Sequence, residues 1–328
     1  MHRLFARLGR ACFAIALAFV VAPSLAQTYP GKPVRFIIPF PPGGTTDIVG
    51  RLVAERMGAY LGQPLVVENR GGGGGSIGAD AIAKATPDGY TVGMATVSTH
   101  AVNPACNPKL PYDPLKDFQF VTNFAAVPNV LATSTTRMPV KDMDEFLRQV
   151  RANPGKTSYA SSGTCGVGHM MGEIFKVTTK TYILHIPYRG AGPALNDVIA
   201  GQLEMIFDNL PSSLPHIQSG KLRAIAVAAP RRVEALPRVP TFAELGMEPV
   251  NDRVWYGLVA PAKTPPEVVA KLHDAAVKAL NDPSVREKLH QQGAEPIANS
   301  PAEFRAQVES ELAKMRKLVK DQGIALEQ

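Results

Sequence analysis

The sequence predicts an α/β protein built as two lobes, and three observations predict it. Apolar, strand-like runs alternate with segments of helical period along most of the chain. That alternation occurs twice, once before about residue 100 and again between about residues 140 and 210. The length of 328 residues leaves room for two domains at roughly 100–200 residues each. With 45% hydrophobic and 19% charged residues, the chain has a globular composition, which excludes general disorder.

The elements follow in order. Val34 to Phe40 is a short apolar run ending at Pro41-Pro42-Gly43-Gly44. In the next segment Ile48, Val49, Leu52, Val53, Met57 and Leu61 recur at helical spacing, with Thr46 or Asp47 placed to cap the helix and Gly62 to stop it. Leu65-Val66-Val67 resumes as a strand, so the three pieces form a right-handed βαβ unit in a mainly parallel sheet. A glycine-rich loop leads into a helix from Ile77 to Lys84, and Pro87-Asp88-Gly89 turns the chain into a strand from Thr91 to Ala95.

The middle of the chain repeats this pattern. Asp142 caps a helix to Val150, Ser158 to Ala160 is strand-like, and His169 to Val177 is helical. Ile183 to Ile186 and Met205 to Phe207 are strands flanking a helix from Pro193 to Ala200, which Gly201 stops. The last sixty-odd residues are mainly helical. Val268, Val269, Leu272, Ala276 and Leu280 form one stripe, and Phe304, Val308, Leu312, Met315 and Val319 form another; both are packing faces.

The N-terminus has the layout of an export signal. Arg3, Arg7 and Arg10 precede the mostly apolar run Ala11 to Val21, and Ser24-Leu25-Ala26 is a small-x-small cleavage site. A run of about a dozen residues is too short to cross a bilayer at about 1.5 Å per residue, but it suits a signal peptide. Residues 1–26 are expected to be cleaved after Ala26, leaving a periplasmic protein; a buried N-terminal helix is the alternative. The 35 basic and 28 acidic residues give +7, and losing those three arginines leaves +4. That charge is spread along the chain without a basic cluster, so nucleic acid is not an expected partner. Export also bears on Cys106 and Cys165, because an oxidising compartment lets such a pair persist as a disulfide. Two separate buried thiols are the alternative. Neither cysteine belongs to a CxxC or has a histidine at zinc spacing, and no metal site is expected.

The glycine run Gly71 to Gly75, with Ser76-Ile77-Gly78, matches two catalytic patterns. As GxGxxG it lacks the acid that should end the following strand to hold a ribose, and an exported protein meets little free dinucleotide. As GxSxG it offers Ser76 as the nucleophile of a serine hydrolase, with Asp208 and either His216 or His273 as partners. Ser76 is equally placed as a helix N-cap. No Walker lysine follows either glycine loop. The loops supply backbone donors instead. Pro42 to Asp47, Ser161-Ser162-Gly163-Thr164 with Gly166 and His169, and Tyr188 to Gly192 each open a helix. A helix N-terminus carries free N–H groups and about half a positive charge, which suits a carboxylate.

These motifs carry a resemblance. Pro39 to Asp47 with Arg51, then Val67-Glu68-Asn69-Arg70 and the glycine run, resemble the Bug-type receptors of tripartite tricarboxylate transporters. The similarity continues through Leu110 to Pro114 with Lys116-Asp117-Phe118, Ser161-Ser162-Gly163 with His169 and Glu173, and Pro187 to Gly190. Pro240-Thr241-Phe242, Glu244-Leu245-Gly246 and Trp255-Tyr256-Gly257 extend it over the whole chain beyond the leader.

The resemblance implies a two-lobe, hinged periplasmic binding protein of the Venus flytrap type, with lobe I at residues 27–102 plus 229–328 and lobe II at 103–228. It implies capture of a small mono- or dicarboxylate through main-chain groups and bridging waters, by a monomer with no catalytic residue and no cofactor. Membrane permease subunits or a sensor ectodomain are the implied partners. Phe40, Pro42, Gly44, Thr45, Thr46 and Asp47 would come from the first loop, Ser76 from the second, and Ser98 with Thr99 from the crossover. Lobe II would supply Ser161, Ser162, Gly163, His169, Tyr188, Ala191 and Asp208. Asp47 is explained as well by capping its own helix, and His169 by a structural hydrogen bond.

Overall fold

The computed structural model describes residues 29–321, so the expected leader lies outside the described residues. The strands are β1 (Val34–Ile38), β2 (Leu65–Asn69), β3 (Thr91–Thr96), β4 (Phe118–Val127), β5 (Asn129–Ser134), β6 (Ser158–Ser161), β7 (Leu184–Pro187), β8 (Met205–Asn209), β9 (Leu222–Ala228), β10 (Val254–Pro261) and β11 (Glu295–Pro296). They form a six-stranded sheet in the order β11-β4-β10-β3-β1-β2 and a five-stranded sheet in the order β7-β6-β8-β5-β9. The first carries lobe I and the second lobe II. Each sheet is mixed. The βαβ segments pair in parallel, β1 with β2 and β3 in one lobe and β6 with β7 and β8 in the other. The remaining strands pair antiparallel around β10 and β5.

The helices are α1 (Thr45–Leu61), α2 (Ser76–Ala83), α3 (Asn103–Cys106), α4 (Met143–Ala152), α5 (Val167–Thr179), α6 (Ala191–Ile199), α7 (Leu210–Gln218), α8 (Pro266–Asn281), α9 (Pro283–Gln291) and α10 (Pro301–Asp321). The expected helical stripes are core faces: Val268, Val269, Leu272, Ala276 and Leu280 of α8 are buried, as are Phe304, Val308, Leu312 and Met315 of α10. Asp142 caps α4, accepting from the Glu145 N–H at 2.9 Å. The other cap is different from the expected one. α1 starts at Thr45 with Gly44 as N-cap, so Thr46 and Asp47 lie inside its first turn.

The lobe boundary falls elsewhere than at 102/103. β4 belongs to the first sheet, paired with β10 from Val254 to Pro261, and the chain passes into the second sheet between Val127 and Asn129. Pro128, which lacks an N–H, sits where ladder bonding to one sheet gives way to the other. The chain returns near Asn251 to Val254. Asn129 Nδ2 donates to the Asp252 carbonyl at 2.8 Å, and the Asn251 side chain both accepts from Ala229 N–H (3.2 Å) and donates to its carbonyl (2.9 Å). Two adjacent crossing segments tied by asparagines make a hinge, since few backbone dihedrals need change for the lobes to rotate.

Candidate ligand-binding site

The βα loops of both sheets point at one another across the interlobe cleft, and they enclose a cavity of about 30 Å³. Its wall is contributed by four helix starts. Gly44, Thr45 and Thr46 open α1, Val167 and Gly168 open α5, Ala191 opens α6, and Asn209 is the N-cap of α7. These helices have 17, 13, 9 and 9 residues, so each presents a fully developed N-terminal field. No lysine or arginine lines the cavity; its ionisable lining groups are Asp208 and Tyr256. The attraction for an anion therefore comes from oriented backbone dipoles, which lose little in reorganising around it.

The lobes touch through small groups. Thr45 Oγ1 hydrogen-bonds Ser212 Oγ at 2.8 Å and accepts from the Ser212 N–H at 3.1 Å. The Val167 N–H donates to Ser98 Oγ at 3.1 Å. Tyr256 donates its hydroxyl proton to Asn209 Oδ1 at 2.6 Å, linking β10 of lobe I to β8 of lobe II. A Cβ on Gly190, whose φ of +138° favours glycine, would lie 2.7 Å from the Pro41 ring. Close backbone approach is thus what the glycines permit.

The expected site residues divide into two groups. Phe40, Gly44, Thr45, Thr46, Ser98, Ser162, Ala191 and Asp208 line the cavity. Gly163 and Tyr188 line a neighbouring recess with Ser162 and the glycine run. Pro42 contributes at the interface, where its carbonyl lies 3.0 Å from a Cβ added at Gly192. The others turn away. Asp47 accepts from Gly43 N–H (3.2 Å), Arg51 Nε (2.8 Å) and Asn69 Nδ2 (2.9 Å), so its carboxylate fastens the first glycine loop to α1 and β2. Thr99 bonds Thr96 and His100, and Ser161 bonds His185 Nε2 at 2.6 Å.

Ser76 lies outside the cavity, and Gly75 takes the N-cap position expected of it. Its hydroxyl has no histidine partner among the described residues. Asp208 is engaged by Ser212 and Ser213 (both 2.7 Å), and His273 faces Asn299 instead. The geometry of a catalytic triad is not assembled. Among the described residues no group of three His, Cys, Asp or Glu side chains is placed to hold a metal ion. Cys106 and Cys165 are free thiols, so the expected disulfide is not formed in this state.

Sequence reasoning passed over several wall residues, among them Asn209, Phe207, Val254 and Tyr256. Tyr256 was signalled by the Trp255-Tyr256-Gly257 motif, although nothing in that triplet shows which side chain faces the cleft. Asp208 is the one acidic group in the wall. One oxygen takes both serine bonds, and burial raises its pKa against the lowering effect of those bonds and of the Asn209 backbone.

Behind the wall His169 stacks on His185, with ring centroids 3.8 Å apart and planes within 9°. His169 Nδ1 accepts from the Cys165 N–H at 3.2 Å, so its proton sits on Nε2, facing Glu173 Oε1 at 3.8 Å. Burial pushes His169 down to about 4, with Glu173 opposing and Lys176 assisting. Burial, then His169 and Lys176, push His185 down to about 3. Both rings are neutral in the fold and charge more readily when unfolded. Their stabilisation is complete above about pH 6.5 and is lost as pH falls toward about 4 and 3. Urea unfolding at neutral pH and at about pH 5 should show a loss on the order of 1–2 kcal/mol from His169 alone, absent in His169→Gln. Equal slopes in the two proteins would refute that account.

Two lobes, a two-segment hinge and an interlobe cavity walled by helix N-termini define a solute-binding protein of the periplasmic receptor class. The chain belongs to the tripartite tricarboxylate transporter family receptors, whose family model matches residues 49–324. It is 37% identical over 327 residues to protein BugT of Bordetella pertussis, covering 99% of both chains. Among solved structures it is similar to a periplasmic transporter at 57% identity (TM-score 0.90, 91% of this chain and all of the other). It is also similar to Rpa4515 of R. palustris solved with adipate (36%, TM-score 0.87, 90% and 98%) and to MatC of Rhodopseudomonas palustris with bound malate (33%, TM-score 0.85, 89% and 100%).

Proposed function

We infer that this chain is an exported receptor that closes its lobes over a small mono- or dicarboxylate and presents it to the permease subunits of a tripartite transporter or to a sensor ectodomain. The observation that carries this reading is the convergence of four helix N-termini, from both lobes, on a cavity without a cationic side chain. Hydroxyl and backbone groups with bridging waters tolerate varied ligands nearly as well as direct bonds would. Adipate and malate in two relatives support a carboxylate as the ligand class. Closure follows because only the closed state lets the anion meet donors from both lobes. The arginine-rich leader and its Ser24-Leu25-Ala26 site support export with cleavage after Ala26. No step in capture or release requires a catalytic group, and a single chain supplies the whole cleft.

The test is a thermal-shift panel on protein that has been unfolded and refolded to strip bound solute. Adipate, malate and related carboxylates should raise Tm in a concentration-dependent way, while neutral sugars should not. Stabilisation by sugars or metal ions alone would overturn the reading.

A further inference from the structure

We propose that Cys106 and Cys165 are an interlobe redox latch: a modification site at which an exported disulfide oxidant joins the two lobes and holds the cleft closed. The cysteines belong to different lobes. Cys106 ends α3, which lies in lobe I against α10, and Cys165 lies in the β6–α5 loop of lobe II. They are near enough for each thiol to shift the pKa of the other.

The surrounding backbone fixes that juxtaposition independently. Asn103, one helical turn before Cys106, donates its side-chain amide to the Gly74 carbonyl at 2.9 Å. On the other side of Gly74, a Cβ would lie 2.6 Å from the Thr164 carbonyl, next to Cys165. Two residues after Cys165, the Val167 N–H bonds Ser98 of lobe I at 3.1 Å. The Asn103 bond fixes the lobe I side of the pair, and the Gly74–Thr164 and Ser98–Val167 approaches bring lobe II against it.

Cys165 itself is held for reaction. Its φ of +56° is in the left-handed region that non-glycine residues seldom occupy, and its N–H is tied to His169 Nδ1. It immediately precedes Gly166, the N-cap of the 13-residue α5, and a helix N-terminus favours thiolate. The Cys106 hydrogen bond lowers the Cys165 pKa further, against burial, while that same bond and burial raise Cys106. Cys165 is buried in the closed protein, whereas Cys106 is partly exposed.

These facts order the chemistry. When the lobes part, the Cys165 thiolate attacks an external disulfide, forming a mixed disulfide and expelling one thiolate of the oxidant. Closure brings Cys106 to the Cys165 sulfur; its thiol loses a proton, bonds that sulfur and expels the second thiolate. Both cysteines lose their hydrogens as protons, and the two electrons leave on the oxidant, which is released as two thiols.

The experiment needs no ligand, so its failure is distinct from failure of the carboxylate reading. Purified protein is equilibrated with oxidised glutathione, and bond formation is read as the loss of two hydrogens by intact mass and as lost alkylation at Cys106 and Cys165. Lobe separation is then followed by small-angle scattering and by amide exchange at the Gly71–Gly75 and Thr164–Val167 loops. Oxidation should reduce the radius of gyration and slow exchange in those loops at least tenfold. Reductant should reverse both effects, and Cys106→Ser should be insensitive to oxidant. Thiols that remain alkylatable, or a bond that forms while reduced and oxidised wild type scatter and exchange alike, would overturn the latch. The wild-type comparison stands even if the serine variant folds poorly.

Discussion

Gly44→Leu is expected to weaken carboxylate binding at least about 100-fold, equivalent to about 2.7 kcal/mol, while leaving each lobe folded. Gly44 is the N-cap of α1 with φ of −88° and ψ of 167°, an extended conformation that any residue adopts. Replacing it there costs only a modest capping penalty, on the order of 0.5–1 kcal/mol. The obstruction lies across the cleft. A Cβ at this position already meets the Ala191 Cβ at 3.3 Å, at the start of α6 in the other lobe. Leucine adds three more carbons beside a cavity of about 30 Å³, and relief requires the lobes to separate. Titration calorimetry with adipate would give the affinity, and circular dichroism melting would show the retained fold. Unchanged affinity would mean that this close approach is not part of the binding-competent state.

Asp208→Asn is expected to tighten carboxylate binding and to flatten its dependence on pH. Asp208 is buried in the cavity wall and accepts from Ser212 and Ser213, and an asparagine oxygen can keep those bonds. Burial raises its pKa, and the other titratable group of the wall is Tyr256, itself pushed up by burial and then by Asp208. No lysine, arginine or histidine is among the lining groups. An ionised Asp208 therefore opposes a ligand anion with no compensating cation. A unit charge about 7 Å away at an effective dielectric near 20 is worth on the order of 2 kcal/mol, or tens-fold in Kd.

The sign follows from the raised pKa. Asp208 favours the fold when protonated; that contribution is complete below its unfolded value of 3.8 and is lost as pH rises through the higher folded value. Carboxylate binding likewise weakens over the upper part of that range in the wild type, because anion and proton are taken up together. Affinities of the two proteins measured from acid to neutral pH should converge at the acid end. A variant that binds more weakly at neutral pH would show that Asp208 makes a favourable ligand contact instead.

Much of the fold was legible in the residues, and the reasons are local. The stripe from Val268 to Leu280, the Asp142 cap and the strand–helix–strand start of lobe I each express themselves within one element. β4 and β10 did not, because both are buried along almost their whole length. Strands covered on both faces lose the period-two alternation that marks a half-exposed strand. β4 also carries the chain back across the first sheet before Pro128, beyond the 102/103 boundary that the resemblance implied.

The candidate site divides along the same line. By itself the sequence determined that glycine-rich loops would open helices in two α/β lobes, because φ freedom, N-terminal donors and hydrophobic period are properties of neighbouring residues. Which polar side chains meet the cavity was decided only by tertiary structure. Asp47, Thr99, Ser161 and His169 have the right chemistry but spend it on bonds within their own lobes, while Asn209 and Tyr256 arrive from distant strands. Cys106 and Cys165, 59 positions apart in the sequence, are brought near one another by the packing of the two lobes. A residue type fixes what a group can bond; only packing fixes which partner is within about 3 Å of it.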